Sequence, residues 1–249
     1  NLHLHLIGDS PLQGIEQRTK HRADLLHPTL HAYNRWMEED WGFHHDERIF
    51  AVPMISLVDL DRGCEELEWC LEHGARAVAL RPAPVFGHPS PRSPGKPEFD
   101  PFWEAVERAD VMVGLHSSDS GFQRYLNEFE GTDGEFEPFK AGRTAFSVLV
   151  NSDNRTITDV VTSIIGHGLT TRFPELRFLP VENGSAWVRP LVQKFERIYD
   201  RSPELFEEDP MVAFKRNIWV HPFHEEDPVG LTEVIGVDNV CFGSDYPHP

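Results

Sequence analysis

Apolar residues along this chain recur with two periods, and the changes from one to the other mark strands and helices in alternation. Asn1 to Ile7 alternates Leu and His. That is a strand pattern, with His3 and His5 on one face and Leu2, Leu4 and Leu6 on the other. Gly8 to Pro11 ends it. From Arg22 to Glu39, the spacing of Leu25, Leu26, Leu30, Tyr33 and Trp36-Met37 predicts a helix, interrupted near its start by Pro28. Arg48 to Leu57 is a second apolar strand, and Pro53 inside it predicts a bulge or an edge of pairing. Asp59 to His73 has helical period, a capping Asp59 or Asp61, acidic first turns and Gly74 as a stop. A strand, Arg76 to Pro82, comes almost at once. This order is a βαβ unit, which requires parallel pairing and a right-handed crossover.

The same alternation continues. Pro82 to Pro97 is a long loop rich in Pro, Gly and Ser, either a lid over one end of a sheet or a disordered connection. Pro101 to Arg108 reads as a short helix and Val111 to His116 as a buried strand. Residues 121–155 give no more than one or two helical pieces. Thr156 to Leu169 is helical and closes on Gly166-His167-Gly168. Arg177 to Val181 is a strand delivering Glu182, and Trp187 to Tyr199 a helix. Ser202 to Pro210 is an acidic loop. Asn217 to Val220 is a strand delivering His221 and His224, and Leu231 to Ile235 a short helix. Val240 to Phe242 is the last buried strand, with Asp245 just beyond it, and Pro247 forbids further pairing. Seven strands alternating with helices place the chain in the α/β class. The architecture expected is a (β/α)8 TIM-type barrel lacking its first strand, as one domain over residues 1–249 and cut at both ends. His116, Glu182, His221 and Asp245 each end a strand, and a parallel barrel gathers such ends on one face.

Composition narrows the partners. With 41 acidic against 23 basic residues the formal charge is -18, which disfavours nucleic acid and anionic membranes. A small-molecule substrate remains the expected partner. Cys64, Cys70 and Cys241 have no metal-ligand spacing and cannot all pair, which suits a reducing, cytoplasmic setting. No long apolar run or leader pattern is present.

Two long motifs then carry a family likeness. Phe173-Pro-Glu-Leu-Arg-Phe-Leu-Pro-Val-Glu-Asn-Gly-Ser-Ala-Trp187 and Cys241-Phe-Gly-Ser-Asp-Tyr-Pro-His248 resemble the amidohydrolase superfamily. The branch is the amidohydrolase-2 family, which holds metal-dependent hydrolases and aromatic-acid decarboxylases. Shorter stretches, Ala32 to Trp36 and Phe99 to Trp103, resemble it too, and the likeness runs from about Gly14 to Pro249. It implies one divalent metal ion, zinc first, with manganese or iron as alternatives. It also implies His116 as a metal ligand and Asp245 as ligand and proton acceptor. A dimer is consistent with the resemblance. Such a site wants about three N/O ligands and an open position for water.

The sequence departs from the family pattern twice. His3-Leu-His5 has the spacing of the family's strand-one ligands, yet Gly14 to Asn34 resembles the segment after strand two in relatives. The second register fits without gaps and leaves strand one absent. Many decarboxylases of the family carry His at the end of strand six, where this chain has Glu182.

Each candidate also has a plain structural reading. His116 is a ligand or a core histidine, and Asp245 a ligand and base or a turn cap. Glu182 orients substrate or water, or pairs with an Arg. His221 and His224 reach a pocket or lie in a solvated loop. His167 caps a helix end with favour from the dipole, and His44-His45 forms a surface turn whose rings diverge. The resulting expectation is metal-dependent hydrolysis of a C–N or C–O bond, with Asp245 and Glu182 as catalytic groups and His116 and Asp245 on the metal. The alternatives are non-oxidative decarboxylation of an aromatic acid, and an inactive barrel serving as binding or scaffold protein.

Overall fold

The structure, a computed structural model, describes residues 3–5, 22–87, 89–117, 122–133, 144–151, 155–223 and 226–243. In chain order the elements are β1 (His3–His5), α1 (Ala23–Trp41), β2 (His44–His45), β3 (Ile49–Ala51), α2 (Leu60–Glu72) and β4 (Ala77–Ala79). Then come α3 (Asp100–Arg108), β5 (Met112–His116), α4 (Phe122–Glu130), α5 (Ala145–Asn151), α6 (Arg155–Gly166) and α7 (Leu169–Arg172). The last are β6 (Arg177–Val181), α8 (Val188–Arg201), α9 (Pro210–Asn217) and α10 (Pro228–Ile235). No described helix is long and apolar enough to cross a membrane.

β1 pairs in parallel with β3, which has β2 antiparallel on its other side; β4, β5 and β6 form a second, fully parallel sheet. A parallel bridge from Met54 to Ala79 joins the two sheets, and further bridges link Phe178 to Ile218 and Val220 to Val240. Seven parallel positions therefore succeed one another in chain order, as the strand count from sequence expected. Among the described residues no pairing joins the last position back to β1, so no closed ring is formed by them.

The predicted second strand is split at Pro53. Ile49–Ala51 pairs with β1, and pairing with β4 begins only where Ala79 donates to the Pro53 carbonyl (2.8 Å) and Ile55 to Ala79 (3.0 Å). Buried Asn34 repairs the break. Its amide donates to the Met54 carbonyl and its oxygen accepts from the Met54 N–H, both at 2.9 Å, as a neighbouring strand would. Pro28 does not interrupt α1, which runs through it and forgoes the bond to the Asp24 carbonyl.

One further expectation is narrowed and two change. The Pro82–Pro97 loop is organised, not a disordered connection, over its described residues. Val85 and Arg92 form an antiparallel bridge, Trp103 Nε1 donates to Pro94 O (2.8 Å), and Arg172 binds Gly95 O and the Asp100 carboxylate. The acidic loop after α8 contains a 3-10 turn, Pro203–Leu205, and at Pro210 gives way to α9, capped by Asp209. The last strand is shorter than Val240–Phe242. Its pairing stops where Cys241 donates to Val220 O, and Phe242 is 90% exposed.

The main core lies between the β4–β5–β6 sheet and its helices. Val78, Val113, Leu115 and Phe178 meet Phe102 and Trp103 of α3, Ile157 and Ile164 of α6, Val188 of α8 and Phe214 of α9. Each such side chain removed from water contributes roughly 1.5–3 kcal/mol, so β5 and β6 are the best-anchored strands. A smaller cluster puts Leu26 and Leu30 of α1 on Met54, Ala77 and Ala79.

Candidate active site

The ends of β5 and β6 lie side by side, because the register pairs Gly114 with Leu179 and His116 with Val181. Paired residues share a face. Regular alternation would therefore send Glu182, one residue beyond Val181, to the opposite face from His116. It does not, because Glu182 leaves the strand with φ of 52°, in the left-handed region that non-glycine residues seldom occupy. That turn swings the carboxylate back, and Glu182 Oε2 stands 3.3 Å from His116 Nε2.

The other ring nitrogen sets the chemistry of this pair. His116 Nδ1 lies 3.0 Å from the Ser117 carbonyl, which can only accept, so Nδ1 carries the proton. In the neutral ring Nε2 then offers a lone pair towards a carboxylate oxygen. Two acceptors face each other stably only with a positive charge between them, either a proton on Nε2 or a cation. A charge-assisted N–H···O bond is shorter, about 2.7–2.9 Å. A histidine nitrogen and a carboxylate at the ends of adjacent strands are donor types that would suit a nearby divalent ion.

The next strand position adds His221, which is 8% exposed and whose Nε2 accepts the Glu182 backbone N–H at 2.9 Å. Accepting that bond requires a lone pair on Nε2, so a neutral His221 has its proton on Nδ1. The solvated-loop reading of His221 is thereby overturned: the ring fixes the strained turn at Glu182. Gly243 packs against the same ring. A Cβ there would lie 2.6 Å from His221 Nδ1, so a side chain at this position would displace the ring.

Two residues not singled out in the sequence complete the frame. Buried Asn183 donates to the carbonyls of Leu115 (3.0 Å) and Val181 (2.6 Å), stitching β5 to β6 just below the pair. Glu226 accepts from the N–H groups of Ser185 (2.8 Å), Ala186 (2.9 Å) and Phe223 (2.7 Å) and from Ser185 Oγ (3.0 Å). One carboxylate thus ties the loop after β6 to the loop after Val220. Gly184 lies between them with φ of +55°, and a Cβ there would sit 2.6 Å from the Phe223 ring.

The remaining predicted residues are not in this cluster. His3 and His5 are on β1, three strand positions from β5. Asp245 and His224 lie outside the described residues. Glu182 faces a histidine, where the plainer reading expected an arginine. His167, expected to gain from a helix dipole, is instead held below the usual histidine range, first by burial and then by the cations of Lys96 and Arg172. His44 and His45 are exposed on β2, beside Glu47 and Asp46 respectively. Cys70 is buried, Cys64 and Cys241 are half-buried, and all three are free. Among the described residues no group of three or more His, Cys, Asp or Glu side chains able to hold a metal occurs.

The family model described as amidohydrolase matches residues 11–249. The chain belongs to the amidohydrolase family. A search of curated proteins found no match. Among solved structures, an amidohydrolase of Mycobacterium avium subsp. paratuberculosis K-10 is similar at 36% identity and a TM-score of 0.88, over 99% of this chain and 61% of that one. This amidohydrolase chain thus spans about three fifths of the length of that relative. The 2,6-dihydroxybenzoate decarboxylase from Rhizobium aligns at 19% identity and a TM-score of 0.64, over 99% of this chain and 73% of the other. A dihydroxybenzoic acid decarboxylase from Polaromonas sp. JS666, solved with bound manganese and 2-nitroresorcinol, aligns at 18% and 0.63, over 97% and 68%. The two decarboxylases share the fold, and the family's TIM-type barrel accounts for the seven parallel positions seen in this chain.

Proposed function

We propose that this amidohydrolase is a metal-dependent enzyme that hydrolyses a C–N or C–O bond in a small organic substrate. The observation that carries this reading is the 3.3 Å approach of His116 Nε2 and Glu182 Oε2 across the ends of adjacent parallel strands. His116 and Asp245 hold one divalent ion, with zinc, manganese and iron all suited to His and carboxylate donors. The manganese bound by the Polaromonas protein supports a divalent ion in this family. The ion's contribution, when bound, is to polarise a carbonyl and to lower the pKa of water.

The chain's own groups do the rest. Asp245 accepts a proton from water, and Glu182 orients water or substrate at the point His116 addresses. His221 holds Glu182 in place through its backbone N–H. Asn183 and Glu226 keep the two loops from parting, so the groups are positioned before substrate arrives.

Metal content per chain, measured by elemental analysis of protein purified without chelator, tests the site. About one equivalent is expected, lost in both His116→Ala and Asp245→Ala. No uptake after incubation with zinc or manganese would overturn the reading. Product analysis then separates chemistries. Release of ammonia, amine or alcohol supports hydrolysis. Carbon dioxide release from an aromatic acid without them would replace hydrolysis by decarboxylation.

A further inference from the structure

The organised proline-rich loop borders a half-open pocket of about 230 Å3 against α4 and α6. None of its walls belongs to His116, Glu182 or His221. Its wall residues Pro94 and Val160 also border a smaller void of about 20 Å3 that reaches Leu115. The void has room for little more than one water, so a ligand in the larger cavity does not pass that way.

Shape and chemistry define what fits. Pro84 and Pro94 come from the loop, and Phe122 and Tyr125 from α4. The two aromatic rings meet edge to face, with centroids 6.3 Å apart, and Tyr125 also lies 4.9 Å from the Phe129 ring, so the wall is an aromatic cluster. Arg155 braces them: its guanidinium carbon lies 4.8 Å from the Phe122 centroid and 5.1 Å from that of Tyr125. An engineered apolar cavity of about 150 Å3 holds benzene, so this space takes one substituted ring.

The polar part of the wall is acceptor-rich. Ser93 Oγ and Ser163 Oγ are 3.1 Å apart, and Ser163 already donates to Val160 O at 2.9 Å. Ser93 therefore donates to Ser163, and the remaining capacity of both hydroxyls is as acceptors. Asp159 supplies a carboxylate on the same wall, with Arg155 Nε 3.7 Å away. With Arg155 beside Asp159 and over both rings, the two opposite charges at the wall offset each other, which favours an uncharged ligand over an anion or a cation.

We infer that this cavity is a second small-molecule site, which takes a single uncharged aromatic ring bearing a hydrogen-bond donor, such as a phenol. The ring stacks between the prolines and the α4 aromatics, and its donor goes to Asp159 or the serine pair.

The test uses phenol, anisole and benzoate as probes with the whole chain, read by ligand-observed NMR titration. Phenol binding at millimolar concentration is expected, with anisole and benzoate weaker by about tenfold or more, since one lost hydrogen bond to a charged group is of that order. Tyr125→Ala and Asp159→Asn should each weaken phenol binding, and His116→Ala should leave it unchanged. Asp159 is exposed, so its variant keeps the fold and serves even where Tyr125→Ala does not. No phenol binding, binding indifferent to Asp159→Asn, equal binding of benzoate, or loss of binding in His116→Ala would each overturn the inference. The last outcome would move the ligand to the strand-end site and leave the metal reading standing.

Discussion

His44 and His45 are neighbours in the chain, whereas His116 and His221 come from separate strands; only the second pair enters a common site. On β2 both rings are exposed and stand beside exposed surface acids. At the ends of the parallel strands each ring nitrogen with a known partner has a defined role. His116 Nδ1 holds a backbone carbonyl, its Nε2 faces Glu182, and His221 Nε2 takes the Glu182 N–H. The difference is in the scaffold. β2 is two residues long on an edge of β3, while β5 and β6 share a five-residue parallel ladder backed by the main core. A histidine becomes useful for chemistry where the backbone around it is over-determined.

That contrast breaks first at Glu226. Its carboxylate serves four donors in two loops, and Glu226→Ala leaves them without it. About 3 kcal/mol of stability is expected to go, with each bond to a charged acceptor contributing about 1.5–3 kcal/mol and water recovering part. Urea unfolding measures the loss. Metal uptake should fall with it, although Glu226 is not proposed as a ligand; unchanged uptake would mean the loops do not position the site.

Asn183→Ala is the next largest. Two carbonyls, of buried Leu115 and half-buried Val181, lose their side-chain donor, for about 2 kcal/mol in the same measurement. A loss no larger than at a surface position would show that the stitch below His116 is dispensable.

The strand-end face was legible in the sequence because it rests on periodicity and on two long motifs: β6 has the predicted bounds, and His116 ends β5 as expected. The bonds that hold that face together were not legible. Asn34, Asn183, Asn217 and Asn239 are all buried, and each side chain bonds backbone carbonyls belonging to other segments. A lone Asn in sequence reads as a turn residue, and only the packed sheet supplies the carbonyls. Glu226 was hidden likewise, in the acidic run Glu225-Glu226-Asp227. The turn at Glu182 has no signal either, since positive φ is usually announced by Gly or Asn. α9 was missed because residues 211–216 were left unassigned between the acidic loop and a strand begun at Asn217, which instead closes the helix and bonds Pro174 O and Leu176 O.

The two halves also differ in their ion pairs, which sharpens the comparison by pH. Arg22–Asp24 and Arg35–Glu39 on the α1 side are solvent-exposed and contribute little. Glu208 is half-buried and takes both arms of Arg216, at 2.7 and 2.9 Å, with Thr171 as a further donor. The Arg216 hydrogen bonds are the main reason its carboxyl is held below the ordinary value. The folded value is the lower one, so the unfolded chain binds the proton first on acidification. The stabilisation is present above the unfolded value near 4.5 and is lost as pH falls through the folded value. Glu208→Gln should flatten the acid limb of a stability-against-pH curve. An unaltered limb would show that the pair contributes no more than its exposed counterparts.

The smallest expected effect returns to the histidines on β2. His44→Ala and His45→Ala are each expected to change stability by no more than about 0.5 kcal/mol, since exposed rings paired with exposed acids bury little. Metal stoichiometry should stay at that of the parent, in contrast to His116→Ala. His44 is the more demanding of the two, because its Nδ1 would lie 2.9 Å from a Cβ on Gly74, so its ring covers the turn that ends α2. A loss confined to His44→Ala would assign that ring a packing role. A fall in bound metal from either change would dissolve the contrast between the two pairs, because an exposed edge strand would then be supplying the ion.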